Sequence, residues 1–315
     1  MSTLSVSSYS LREHLGPLSF DFTDGDGNEV HLDLPNAKEL DLSDFPARAR
    51  SEFGVQAIET VAFQFTGPDD PELDRFAAAL TTSGVRLINA AIDQGDLAVE
   101  PSRRADQLAL ITPWIDRFAA MGSAFVRVNP GSPFGPHAAG GPSAHLVEAL
   151  IELGGYARDR GTRLLVENHG GPSSDPAWLI ALLDAVGREQ LGLLLDLGNF
   201  EVLTQPVMAA LFGGGEVDLP TLLDGLDLTS LYDDLEALAG RAELAHVKVH
   251  DVAADGTLRA VDLDRSLGIL AAHDYRGPLT IEYEGNGGDP WWKTGQVVDA
   301  VRAFAARPAP AAEGA

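Results

Sequence analysis

The stretches Leu164-Leu-Val-Glu-Asn-His169 and Leu193-Leu-Leu-Asp-Leu-Gly-Asn199 decide how this chain is read. In each, a short apolar run of the kind that forms a buried strand stops at a carboxylate, with an Asn close behind. The pattern returns at Leu244-Ala-His-Val-Lys-Val-His-Asp251 and Pro278-Leu-Thr-Ile-Glu-Tyr-Glu284, so four segments end in Glu167, Asp196, His246 and Glu282. Three carboxylates in one place would repel each other, and some would hold protons, unless a cation joins them. The chain has no cysteine, so oxygen and imidazole would be the donors. That supply suits one divalent ion, Mn first, with Mg, Co or Zn as alternatives.

Working outward, apolar runs of strand length begin near Leu4, Val55, Val85, Ala124, Arg163, Leu191, Leu244 and Pro278. Helical periodicity fills most of the gaps: Pro71 to Leu80 opens on proline, Ser143 to Arg160 ends before Gly161, and Asp175 to Leu183 opens on an Asp cap. About eight such alternations predict an α/β fold closed as a (β/α)8 TIM barrel. An open doubly wound sheet would want a glycine-rich turn after its first strand, where this chain has Ser8-Tyr9-Ser10. One barrel domain is expected over 1–306, with 307–315 a disordered tail for want of core-forming side chains.

Two insertions interrupt the spacing, each after a strand, on the side where barrels carry their sites. Phe20 to Leu34 alternates apolar and polar residues around Gly25 and Gly27 and predicts a β-hairpin after strand 1. Its Asp24, Asp26 and Asn28 imitate the start of a calcium loop, but Glu29 and Pro35 stand where that loop needs Gly and Glu. The second insertion, Glu201 to Tyr232 with Gly213-Gly-Gly215, is expected as a long loop after strand 6.

A formal charge of −25, from 47 acidic and 22 basic residues, argues against nucleic acid or an anionic membrane as partner. No basic and apolar leader opens the sequence and no run approaches about 20 apolar residues, so a cytoplasmic location is expected.

Taken together, Val166-Glu-Asn-His-Gly-Gly171, Leu195-Asp-Leu-Gly-Asn-Phe200, His246-Val-Lys248 and Ile281-Glu-Tyr-Glu-Gly285 resemble the xylose isomerase-like barrel superfamily of sugar isomerases and epimerases, from Leu4 to about Phe304. The resemblance implies a metal held by Glu167, Asp196, His246 and Glu282. It also implies that Glu167 and Glu282 act as acid and base in its ketose epimerases, through a metal-bound enediolate. Many relatives read His-x-Lys-Asp on the seventh strand. Matching the Lys selects His246, matching Asp251 puts Lys248 at the ligand position, and His250 stays in reserve. Substrate contacts are expected from Asn199, His169, Lys248, His137, Glu59 and Trp292, with Asn89 and Asn129 as further strand-end candidates. For each of these a capping or packing role competes. Lys248 draws notice because the chain has only two other lysines, Lys38 and Lys293.

The reaction expected is sugar isomerisation or epimerisation. The same enolate chemistry would serve a lyase, either the catalytic subunit of a C-glycoside deglycosidase on 3-keto glycosides, with a small β-rich partner, or an inosose dehydratase. Endonuclease-like phosphodiester hydrolysis would need more histidines and a basic face. A degenerate sugar-binding barrel is the alternative without catalysis, and a homo-oligomer fits either case.

Overall fold

A computed structural model describes residues 2–23, 29–132, 140–212 and 218–307. Among the described residues, ten strands are β1 (Leu4–Ser7), β2 (Leu18–Thr23), β3 (Glu29–Leu34), β4 (Ala57–Val61), β5 (Arg86–Ile92), β6 (Phe125–Val128), β7 (Arg163–Glu167), β8 (Gly192–Asp196), β9 (Ala242–Val249) and β10 (Leu279–Tyr283). Eight of them, all but β2 and β3, close into a barrel in the order β1, β10, β9, β8, β7, β6, β5, β4, every pair parallel. This is the TIM barrel that the alternation predicts, and the strands that carry the four acid and histidine positions are neighbours in it.

The helices are α1 (Phe45–Phe53), α2 (Pro71–Ser83), α3 (Arg104–Ala120), α4 (Ala144–Arg158), α5 (Pro176–Val186), α6 (Glu201–Phe212), α7 (Leu219–Asp224), α8 (Thr229–Ala239), α9 (Leu263–Ala272) and α10 (Pro290–Ala305). Their starts are fixed locally. Asp70 accepts from the Glu72 N–H, Ser143 from Leu146, Asp175 from Ala177 and Asp289 from Trp291, caps worth about 1 kcal/mol each. Gly54 and Gly84 end α1 and α2 at φ +63° and +65°, a conformation that costs a residue with a Cβ.

The core has two parts. The apolar faces of helices and strands form one, with Phe45, Phe76, Ile115 and Phe118 fully enclosed. The other fills the lower barrel interior with Ala57, Ile88, Leu165, Leu194 and Leu244. Because side chains alternate along a strand, the next inward positions on four of these strands are Glu59, Glu167, Asp196 and His246. The apolar plug is therefore the floor of a polar chamber.

The first insertion pairs β2 and β3 antiparallel from Leu18↔Leu34 to Thr23↔Glu29, while its turn, with Asp24, Asp26 and Asn28, lies outside the described residues. The second insertion differs from the loop expected for it. Glu201 to Phe212 and Leu219 to Asp224 are helices α6 and α7, because apolar residues recur on one face, with Phe200, Leu203 and Val207 buried. Residues 213–217 lie outside the described ones. So do 308–315, most of the expected tail, whereas Arg307 pairs with Asp264 at 2.9 Å. No helix among the described residues is long and apolar enough to cross a membrane.

Candidate active site

Strand register sets the heights of the inward side chains. Asp196 pairs with His246, and Glu282 with Lys248. On β9, residues 246 and 248 face the barrel axis, with 250 next in the alternation just past the strand end, and all three are buried. Lys248 thus stands level with Glu282, one inward position above His246.

His246 lies at the centre. Its Nε2 meets Glu59 Oε1 and Oε2 at 2.9 and 3.0 Å. Its Nδ1 faces Glu167 Oε1 and Asp196 Oδ2, both at 3.6 Å, and Glu282 Oε2 at 3.4 Å. Burial opposes protonation of the ring, but Glu59, Glu282 and Asp196 outweigh it and hold the imidazole pKa well above its usual range. Glu59, expected as a substrate contact, is hydrogen-bonded to this ring.

Glu167 accepts from Asn199 Nδ2 at 3.2 Å and faces Arg127 Nε at 2.8 Å. Burial pushes its carboxyl up to about 8, against the pull of Arg127 and His246. Glu282 shares the burial, yet Lys248 and His246 prevail and hold it well below the usual carboxylate range. Asp196 is fixed by its own loop, its Oδ1 accepting the Gly198 and Asn199 N–H at 2.7 and 3.0 Å. Asn168 turns away from the chamber. It ties β7 to β8 by accepting the Asp196 N–H at 2.8 Å and donating to the Asp196 carbonyl at 2.9 Å.

Lys248 is ringed by oxygen. Its Nζ lies 3.2 Å from Asp196 Oδ2, 3.1 Å from Glu282 Oε2, 2.9 Å from Glu284 Oε2 and 3.0 Å from Asn199 Oδ1. The stem runs tight over Gly198, where a Cβ would come within 3.2 Å of its Cβ and Cγ.

Three participants were not picked out from the sequence. Arg127 on β6 pairs with Asp93 and Glu167 and donates to Asn129 at 2.9 Å. Its signal was a charge inside the four-residue strand Phe125-Val-Arg-Val128. Glu284 was legible as the next same-face residue after Glu282. Arg12 donates to the carbonyls of Glu284 and Gly285, each at 2.8 Å, and fixes the β10 end. His137 lies outside the described residues. Trp292 stands 40 % exposed on the first turn of α10, whereas Trp291 stacks on Phe53 in the core. Asn89 is fully buried, with both amide atoms lacking a protein partner.

Part-buried His169 gives a test of this environment. Burial and nearby Arg127 lower its pKa to about 4, so the unfolded chain takes up a proton near the ordinary 6.5 that the folded chain refuses. The unfolded state then binds more protons, and stability falls as pH drops from about 6.5 to 4. Part exposure trims the effect to about 1–2 kcal/mol. Urea melts at pH 7 and 4.5 are expected to show wild type losing that much more than His169→Asn. Equal losses would rule out a neutral His169.

Among the described residues, two sets of three buried donors bring ligand atoms within 4.8 Å of one another: Glu59, His246 and Glu282, and Glu167, Asp196 and His246. Such a carboxylate and imidazole group could bind a metal ion. The four-donor shell expected from the sequence is not a free chelate, however. Asp196 Oδ2 and Glu282 Oε2 already share the Lys248 ammonium. A divalent ion bound here would have to displace the ammonium from both carboxylates.

A model of the xylose isomerase-like TIM barrel family matches residues 47–306. No curated protein matches the chain by sequence. Among solved structures, D-allulose 3-epimerase from Methylomonas sp. in complex with D-allulose aligns with a TM-score of 0.62 at 16% identity, covering 96% of this chain and 97% of that one. An apo 3-keto-D-glucoside 4-epimerase from E. coli gives 0.57 at 15% identity, covering 84% and 94%. A xylose isomerase-like TIM barrel protein from Mycobacterium smegmatis in complex with magnesium gives 0.57 at 15%, covering 97% and 98%. At these identities the likeness is one of fold.

Proposed function

The chain belongs to the xylose isomerase-like TIM barrel family, and on that footing we propose that it is a sugar isomerase or epimerase moving a proton next to a carbonyl. One observation carries the reading. Two buried carboxylates, Glu167 and Glu282, both face His246 Nδ1, and their surroundings push their proton affinities in opposite directions. Two acids separated in this way form an acid and base pair. Glu282, held as a carboxylate, takes the proton from the carbon beside the carbonyl. Glu167, holding its proton near neutral pH, is the donor. Return to the opposite face of the same carbon epimerises; delivery to the adjacent former carbonyl carbon isomerises. His246, Lys248 and Asn199 supply N–H groups that position the two sugar oxygens.

The divalent ion expected from the sequence has no step in this scheme, because Lys248 already bridges two of its donors. Keto sugars are the first substrates to try. The 3-keto-D-glucoside 4-epimerase among the structural neighbours adds 3-keto glycosides to the panel. Incubated in deuterated water with and without Mn, the protein is expected to place deuterium at the carbon next to the carbonyl. In the same tubes, Glu167→Gln is expected to slow the reaction by about 10²-fold or more. Exchange that survives undiminished in Glu167→Gln/Glu282→Gln overturns the two-carboxylate reading. Product identity separates epimerisation from elimination.

A further inference from the structure

Lys248 has four oxygens at 2.9 to 3.2 Å for three N–H donors, so its ammonium is fully committed within the chamber. It is 3% exposed, its stem is pinned over Gly198, and register puts it opposite Glu282. Two of its four oxygens, Asp196 Oδ2 and Glu282 Oε2, are the donors a divalent ion would need. The other two, from Glu284 and Asn199, complete a shell built around this nitrogen.

We propose that Lys248 Nζ fills the cation position of this barrel mouth in place of a divalent ion, and that it is the group on which the substrate carbonyl polarises. The second half rests on the proposed proton-transfer function; the first does not. As Glu282 takes the proton from carbon, the C–H electron pair becomes the new C=C bond. The carbonyl π pair moves onto oxygen, where a Lys248 N–H that the substrate oxygen has drawn from one of its four protein oxygens carries the charge as a hydrogen bond. The electrons return to the carbonyl when carbon regains a proton, so nothing is oxidised or reduced and no co-reactant is consumed.

The test is titration of the wild-type protein and Lys248→His with MnCl2, read by calorimetry and by metal content after dialysis. Wild type is expected to retain no stoichiometric metal. Lys248→His, which exchanges the ammonium for an imidazole donor, is expected to bind Mn at least about tenfold more tightly. One equivalent of metal retained by wild type, or a wild-type affinity equal to that of Lys248→His, overturns the proposal. Should Lys248→His not fold, the wild-type result decides the matter alone. Any exchange activity of wild type is expected to survive EDTA, and its loss on chelation would count against the proposal. If no sugar exchanges at all, the functional reading fails, while the metal titration still answers the question of Lys248.

Discussion

Glu282→Gln is expected to lower kcat/KM for carbon-bound hydrogen exchange by about 10³ to 10⁴-fold, the upper range for loss of a positioned general base. The amide keeps the shape and can still accept from Lys248, so substrate binding should change little and the loss should fall on kcat. Neither neighbour can take over the base role. Asp196 is tied to the Gly198 and Asn199 N–H groups, and Glu284 faces Lys248 from beyond the strand end. The fold should survive, since Lys248 keeps Asp196, Glu284 and Asn199. Single-turnover exchange in deuterated water, with thermal melts as the folding control, measures it. A loss below about tenfold would remove Glu282 as the base.

Much of this site is legible in the sequence. Glu167, Asp196 and Glu282 end short apolar runs, and an acid that follows four or five buried residues has few places to go except a barrel mouth. The cap at Asp175 was legible for the same local reason, a side-chain oxygen one turn ahead of free N–H groups. Lateral register was not legible. Three same-face residues on and just past β9 offered His246, Lys248 and His250 to the site, and only pairing with β8 and β10 places His246 beside Asp196 and Lys248 beside Glu282. Partners from distant strands were hidden too. Glu59 reaches His246 from 187 residues away, and nothing local distinguishes it from a sugar ligand. Arg127 was not legible because a charge inside a four-residue strand has no local acid partner, and its acids, Asp93 and Glu167, come from the ends of the neighbouring strands. The helices α6 and α7 were missed where the glycine run at 213–215 suggested loop, although Leu203 and Val207 already lay on one helical face.

Arg127→Met is expected to cost about 3–5 kcal/mol of stability, the usual penalty for removing one member of a buried ion pair. The side chain is 6% exposed, and its Nε and Nη1 serve different acids, Glu167 and Asp93. Methionine fills the volume but strands both carboxyls, so the melting temperature should fall by roughly 10 °C. Arg127→Lys keeps the charge without the fork and should recover only part of the loss. Adding Asp93→Asn to Arg127→Met should recover more than additivity allows, because the most heavily paired stranded charge is then gone. A cost below about 1 kcal/mol for Arg127→Met would show that the network is not structural. The same substitution reaches the chemistry. Burial raises Glu167 to about 8 against the opposing pull of Arg127, so activity that needs a protonated Glu167 should decline above that pH. Without the guanidinium the carboxyl holds its proton more tightly still, and the alkaline limb of kcat/KM should move to higher pH in Arg127→Met. Activity that instead rises through this pH range, on a limb that moves to higher pH in Arg127→Met, would mean that Glu167 works as a carboxylate, reversing the acid and base assignment along the axis from β7 to β10.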